Sequence, residues 1–190
     1  MPDKIIAFSS SEKDPARLDE YIKGCAEKDT DSLSRLYGAV SSSVYAYALS
    51  VLKNRQDAED VLHDCFINIF SAAPSYISQG RPMAWIMTIC RNLCMNILKD
   101  RSRRADTEED DWEAGLSEDC GISADDRLTL HFCMESLSEE ERKIVILHAV
   151  SGFKHREIAE FLDMPLATVL SKYARSVKKL RIILEKEISP

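Results

Sequence analysis

The chain has 190 residues, of which 45% are hydrophobic and 30% charged, and a formal net charge of −7. This composition is sufficient for a packed core and typical of a soluble protein. The apolar stretch at residues 36 to 52 is interrupted by four serines, so we expect no transmembrane helix and no membrane insertion.

The N-terminus and the cysteines indicate the compartment. The first residues, "MPDKIIAFSSSEKD", lack the sustained apolar core of a secretory signal. We therefore expect a cytoplasmic protein whose six cysteines are mostly reduced thiols. None of them lies in a CxxC pair or at zinc-finger spacing, so we predict no metal site and no cofactor.

The negative charge is concentrated in one segment. Residues 105–126 contain ten acidic residues and no basic one, with two glycines and little apolar periodicity. Such a segment is typical of an extended linker. We therefore predict two near-neutral domains, residues 1–104 and 127–190, joined by this linker. An alternative role for the linker is to imitate nucleic acid and compete for the basic surfaces of the chain.

Apolar spacing predicts three helices in the N-terminal domain. The first covers residues 33–52, the second covers residues 57–70, and a long third helix begins at residue 83. The segment "APSYISQGRP" before the third helix is predicted to be a loop. The third helix ends in "KDRSRR", a basic segment that also suits a helix C-terminus.

The C-terminal domain has the pattern of a helix-turn-helix. Ser138 and Glu141 form an S-x-x-E capping box at the start of one helix. A short helix at 154–162 is interrupted by "DMP", and an amphipathic helix with a basic side follows. Helix, short turn and basic helix are the layout in which the second helix enters the major groove of DNA. This pattern alone is also compatible with an ordinary helix pair.

The order of the segments resembles the extracytoplasmic-function (ECF) sigma factors of bacterial RNA polymerase. The resemblance rests on "DAED", "GRPMAWI" and "ICRNL", followed by the acidic segment and then by "EIAEFL" and "ATVLSK". It implies an all-α chain with a region 2 helical bundle and a region 4 helix-turn-helix. It further implies an alternative sigma factor that binds core RNA polymerase and promoter DNA, has no active site, and is held inactive by an anti-sigma factor.

The resemblance also implies three sets of contact residues. The expected core-polymerase-binding residues are Asp57, Asp60, His63, Asp64 and Asn68. The expected contacts to the minus-ten element are Tyr76, Arg91, Asn92, Asn96, Lys99 and Arg103. The expected contacts to the minus-thirty-five element are Thr168, Ser171, Lys172, Arg175 and Lys179.

The chain departs from the family pattern within the helix-turn-helix. The usual "GTVKSR" is "ATVLSK" here, so Leu170 replaces a lysine and Lys172 replaces an arginine. Because lysine lacks the bidentate fork of arginine, the promoter sequence cannot be transferred from other members. Asp163 replaces the usual glycine of the turn and is among the residues that tolerate left-handed geometry.

Two other functions are compatible with parts of the sequence. One is a stand-alone helix-turn-helix transcription regulator whose N-terminal domain binds a partner other than polymerase. Such a regulator would not need the acidic helix "DAEDVLHDCFINIF". A thiol or metal sensor could use Cys90 and Cys94, which are four residues apart on one helix, although packing of small apolar side chains explains this pair better.

Overall fold

A computed structural model describes residues 13–104 and 132–188, and every regular element in these two ranges is helical. The all-α prediction is therefore confirmed. The predicted linker at residues 105–126 lies outside the described residues. None of the helices in the described ranges is long and apolar enough to cross a membrane.

The N-terminal domain is built around one central helix. Its helices are α1 (Pro15–Ala26), α2 (Thr30–Leu52), α3 (Arg55–Ala72), a 3-10 turn (Ala73–Ser75) and α4 (Pro82–Arg104). The second half of α2 is buried almost all round, from Tyr47 to Leu52. Such a helix lies in the middle of a bundle, and α1, α3 and α4 each pack against it.

Local caps set the helix boundaries. The Asp29 carboxylate accepts from the backbone N–H of Ser32 and caps α2, and the Asn54 side chain caps α3 by accepting from the N–H of Asp57. These caps extend α2 and α3 beyond the predicted ranges. The sequence interpretation missed α1, although Pro15 at its first position and the buried Leu18, Ile22 and Cys25 at helical spacing were signals for it.

The C-terminal domain follows the predicted layout. A helical turn at residues 132–135 precedes α5 (Glu139–Ala149), α6 (His155–Leu162) and α7 (Leu166–Ile188). Both hydrogen bonds of the Ser138–Glu141 capping box are present. Asp163 ends α6 with φ of 53°, the left-handed conformation that the turn requires. The break after α5 uses Gly152 with φ of 75°.

The two domains pack against each other in this structure. Helix α2 contacts α5, and α4 contacts α6. The Ser43 hydroxyl of α2 is fully buried and donates to the carbonyl oxygen of Val150 at 3.1 Å. The rings of Tyr47 and Phe161 meet edge to face, with centroids 5.8 Å apart. One apolar core therefore runs through both domains.

Candidate functional site

The outer face of α3 presents polar side chains to solvent. Asp60, His63, Asp64 and Asn68 are all exposed on this face. Ile67 lies among them with 61% of its surface exposed. An apolar centre with a polar rim is a composition that protein-binding surfaces share. The sequence interpretation missed Ile67, because only the helical register determined by the buried side chains shows that it points outward.

Asp57 has a different environment from the other four. Its side chain is half-buried and forms an ion pair with Arg101 near the end of α4. Arg101 also donates to the carbonyl oxygen of Leu52 at 3.1 Å. Asp57 thus connects the start of α3 to the end of α4. This structural role is separate from the polymerase contact that the resemblance implies for Asp57.

The loop at residues 76–81 is anchored to both neighbouring helices. The Tyr76 hydroxyl donates to one carboxylate oxygen of Asp19 in α1 at 2.5 Å, and the Ser78 hydroxyl donates to the other at 2.6 Å. The Tyr76 ring packs on Trp85 of α4 with centroids 4.6 Å apart. Burial and the bond to Asp19 raise the pKa of Tyr76 to about 12, so its hydroxyl is a stable donor at neutral pH.

One side of α4 carries the predicted minus-ten residues. Asn92, Asn96, Lys99 and Arg103 are exposed at spacings of three or four residues, so they share one helix face. Amide and basic side chains in one row suit contacts to both the nucleobases and the phosphates of DNA. Arg91 is half-buried instead, and its guanidinium donates to the carbonyl oxygen of Phe161 at 2.6 Å.

Helix α7 is oriented by ion pairs with α5. Lys172 pairs with Glu140 at 2.7 Å, and Lys179 pairs with the buried Glu141 at 2.8 Å. Val169 and Ser176 are buried in α7, whereas Leu166, Leu170 and Val177 are each about two-fifths exposed. The apolar side that the sequence pattern predicts for this helix includes Leu166, Leu170 and Val177, and it is therefore displaced around the helix from the side that is buried.

This orientation determines which basic side chains of α7 point to solvent. Of the predicted minus-thirty-five contacts, Ser171, Arg175 and Lys179 are exposed, and Thr168 and Lys172 are half-buried. Lys178 and Arg181 are exposed as well, and the sequence interpretation had not included them. The direction of the core, which depends on the ion pairs to α5, was needed to identify them.

The cysteines of the N-terminal domain are packed in its interior. Cys65, Cys90 and Cys94 are fully buried. The hydrogen bond between Cys90 and Cys94, together with burial, raises the pKa of Cys90, so its thiol stays protonated and unreactive. The described ranges contain no group of three or more His, Cys, Asp or Glu residues placed to hold a metal ion.

Two family models match the chain, one in the N-terminal domain and one in the C-terminal domain. The model described as "Sigma-70 region 2" matches residues 36–104. The model described as "Sigma-70, region 4" matches residues 127–180. Together they cover more than half of the chain. The chain belongs to the sigma-70 family of sigma factors.

Curated relatives of this sigma factor carry the same classification. The ECF RNA polymerase sigma factor SigK of Mycobacterium sp. (strain KMS) is 26% identical over 171 residues, covering 86% of this chain and 89% of the relative. The ECF RNA polymerase sigma factor SigE of Mycolicibacterium smegmatis is 32% identical over 152 residues, covering 77% of this chain and 59% of the relative. The chain is therefore an ECF sigma factor, an alternative sigma factor that directs transcription initiation, and not a stand-alone regulator.

Solved structures share the fold of this sigma factor. The sigma factor RpoE of Bartonella quintana, crystallised with the anti-sigma factor NepR, aligns with a TM-score of 0.65 and 21% identity over 83% of this chain and 98% of that one. CnrH, solved with the cytosolic domain of CnrY, aligns with a TM-score of 0.57 and 17% identity over 92% of this chain and 98% of that one.

In this sigma factor, region 4 covers part of region 2. Arg91 lies over the Phe161 ring with its guanidinium carbon 5.5 Å from the centroid, in addition to its hydrogen bond to the backbone there. Arg81, at the end of the loop, pairs with Glu160 at 2.5 Å. Both contacts join α6 of region 4 to the elements of region 2 that precede and form α4.

Proposed function

We propose that this sigma factor binds core RNA polymerase through the outer face of α3. The observation that carries the proposal is the exposed group of Asp60, His63, Asp64 and Asn68 around Ile67, on a helix whose opposite face is buried. Carboxylates around an apolar centre suit a basic partner surface with an apolar pocket. Asp57 is proposed to act mainly by holding α3 and α4 together.

The loop at 76–81 and α4 are proposed to open and read the minus-ten element. Capturing a base from the stacked duplex costs a few kcal/mol and requires an apolar or aromatic surface beside hydrogen-bonding groups. Tyr76 contributes a ring that is fixed on Trp85, and Asn92 and Asn96 contribute amides. Lys99 and Arg103 are suited to the phosphates that follow. Arg91 would join them after its contacts to Phe161 are broken.

Helix α7 is proposed to read the minus-thirty-five element in the major groove. Ser171, Arg175 and Lys179 are the exposed members of the predicted set, and the first two suit contacts to base edges and phosphates. Lys172 and Lys179 pair with glutamates of α5 and Thr168 is half-buried, so these three would contribute from the edge of the surface. Lys178 and Arg181 extend the basic side of the helix toward the DNA backbone.

Regulation and location complete the proposal. An anti-sigma factor is a proposed partner, in keeping with the two structural neighbours that were each solved with a second protein, one of them a named anti-sigma factor. The proposed location is the cytoplasm, where core polymerase and promoter DNA are found. We further propose that the chain contributes no catalytic residue and that the chemistry of RNA synthesis belongs to the polymerase.

The proposed polymerase surface is tested by capture of purified core RNA polymerase on the immobilised sigma factor. The variant Asp60→Arg with Asp64→Arg should weaken capture by at least about tenfold, since charge reversals within an interface cost several kcal/mol. The matched control, Glu20→Arg with Glu27→Arg, reverses two exposed charges on and beside α1 and should leave capture unchanged. Equal capture by both variants would overturn the proposed surface.

A further inference from the structure

The loop at residues 76–81 displays one apolar side chain to solvent. Ile77 is 78% exposed, more than any other large apolar side chain in the part of the chain that the structure describes. It lies directly between Tyr76 and Ser78, the two residues whose hydroxyls bind Asp19. An exposed apolar side chain on an anchored loop is available to a binding partner.

The backbone explains why Ile77 points away from the bundle. Tyr76 has extended dihedral angles, with φ of −69° and ψ of 126°. In an extended segment, successive side chains point to opposite sides, so side chains two residues apart face the same way. Tyr76 and Ser78 both face α1, where they meet Asp19, and Ile77 must therefore face outward.

Asp19 makes this arrangement specific. Its two carboxylate oxygens are each used by a different loop residue, one by Tyr76 and the other by Ser78. The Ser78 hydroxyl also accepts from the backbone N–H of Gly80 at 3.4 Å, which carries the constraint toward the end of the loop. Hydrogen bonds to a carboxylate are stronger than those between neutral groups, and two of them fix both position and direction.

We infer that Asp19 is a positioning residue for promoter opening, and that it holds the loop so that Ile77 meets the unpaired base of the opened minus-ten strand. This inference rests on the proposed role of the loop and α4, and it adds a residue of α1 to that role. An apolar side chain of this kind can wedge beside a base step or cover the face of a base taken out of the stack. Asp19 itself touches no DNA in this arrangement.

The experiment measures strand opening by the reconstituted holoenzyme. The template is a promoter selected from a random-sequence library by transcription with the wild-type holoenzyme. Each variant is tested on the duplex promoter and on the same promoter with a mismatched, already open minus-ten segment. Permanganate reactivity of unpaired thymines reports opening, and capture of core polymerase is measured in parallel.

Asp19→Ala should slow opening of the duplex by roughly tenfold, the scale of about one charge-assisted hydrogen bond. On the open template it should support transcription within about twofold of the wild type, because the step that Asp19 assists has been bypassed. Ile77→Ala, which keeps the Asp19 contacts, should show the same difference between the two templates. The double variant should be little worse than either single one, since both act through one contact.

Two control variants separate this role from a structural one. Glu20→Ala changes the neighbouring exposed carboxylate of α1 and should open the duplex like the wild type. Asp19→Asn keeps an oxygen for one of the two hydroxyls and should fall between the wild type and Asp19→Ala. A defect of Asp19→Ala that is equally large on both templates would overturn the inference and indicate a general loss of structure.

The outcomes also separate this inference from the proposed function. Opening of the duplex at the wild-type rate by Asp19→Ala, with normal capture of polymerase, would overturn the role of Asp19 and leave the polymerase surface standing. Failure of the wild-type chain to capture core polymerase would overturn the proposed function, and this inference with it.

Discussion

Glu141 shows how one side chain can serve two helices. Its side chain is only 7% exposed, and its carboxylate accepts from the backbone N–H of Ser138 at 3.0 Å and from the Lys179 ammonium at 2.8 Å. The first bond caps α5 and the second holds α7 against it. The bond from Lys179 is the main cause that lowers the pKa of Glu141, against burial, which raises it.

Glu141→Gln should lower the free energy of unfolding at neutral pH by about 1–2 kcal/mol, because glutamine keeps an acceptor for the cap but loses the ion pair. The pKa of Glu141 is lower in the folded chain than in the unfolded one. Its contribution is therefore complete above the unfolded-state pKa and is lost as the pH falls through the folded-state value. Urea unfolding at pH 7 and at about pH 3 should show the two proteins converging in acid.

The control for Glu141 is a neighbouring glutamate in the same helical turn. Glu139 is exposed and pairs with Lys143 at i, i+4. Glu139→Gln should change the unfolding free energy by less than about 0.5 kcal/mol at either pH, as is usual for exposed pairs. A difference between wild type and Glu141→Gln that stays constant with pH would contradict the assigned role of the ion pair.

At the scale of elements, some basic residues of α7 hold the helix against α5, and others are exposed for contact with DNA. Lys179→Ala should lower the melting temperature of the chain, because it leaves the carboxylate of Glu141 buried without its ion pair. Arg175→Ala, at an exposed position, should leave the melting temperature unchanged and weaken binding of the holoenzyme to promoter DNA. Promoter binding by the Arg175→Ala holoenzyme should also depend less steeply on salt. The slope of the logarithm of the binding constant against the logarithm of the salt concentration should fall by about one.

The measurement for α7 is promoter binding over a range of salt concentrations, beside thermal unfolding of the free sigma factor. Only Lys179→Ala should lower the melting temperature, and Arg175→Ala should cause the larger reduction of the salt slope. An unchanged melting temperature of Lys179→Ala would mean that Lys179 does not support α7.

Local patterns were sufficient to predict most elements. The S-x-x-E capping box, the "DMP" turn and the apolar spacing of α2, α3 and α4 each depend on residues close in sequence, and each is present in the structure. Asp163 adopted the left-handed conformation expected of a residue in the glycine position. The missed helix α1 is short, and its signal was three apolar residues after a proline.

Contacts between distant residues could not be predicted in the same way. The buried side of α7 depends on Glu140 and Glu141, which are more than thirty residues away. The loop at 76–81 depends on Asp19, which is 57 residues from Tyr76. Arg91 appeared to belong with Asn92 and Asn96, but its partner Phe161 is in the other domain. In each case the deciding partner has no fixed spacing along the chain.

At the scale of the whole molecule, we expect the packed domains to separate when the chain binds both promoter elements. The proposed elements lie about 25 base pairs apart, which is on the order of 80 Å of duplex. In the structure, α4 and α6 are in direct contact through Arg91 and Phe161. Residues 105 to 131, at ~3.5 Å each when extended, could span roughly 90 Å. Promoter binding should therefore require the two domains to separate.

A reversible cross-link between the domains tests this separation. Arg81 and Glu160 are exposed and in contact, so Arg81→Cys with Glu160→Cys places two accessible thiols on opposite sides of the interface. Cys25, Cys65, Cys90, Cys94 and Cys133 are buried, and Cys120→Ser removes the remaining native cysteine. A short bis-methanethiosulfonate reagent should bridge the two introduced thiols within one chain.

The bridged sigma factor should lose promoter-dependent transcription by at least about tenfold, because opening the interface is then prevented by a covalent bond. Treatment with a reductant should restore transcription to the level of the unbridged double variant, which controls for the two substitutions themselves. The same reagent on a chain with only Arg81→Cys should have no effect. Full transcription by the bridged chain would mean that the contact between α4 and α6 persists on the promoter, and that the two elements are reached without separating the domains.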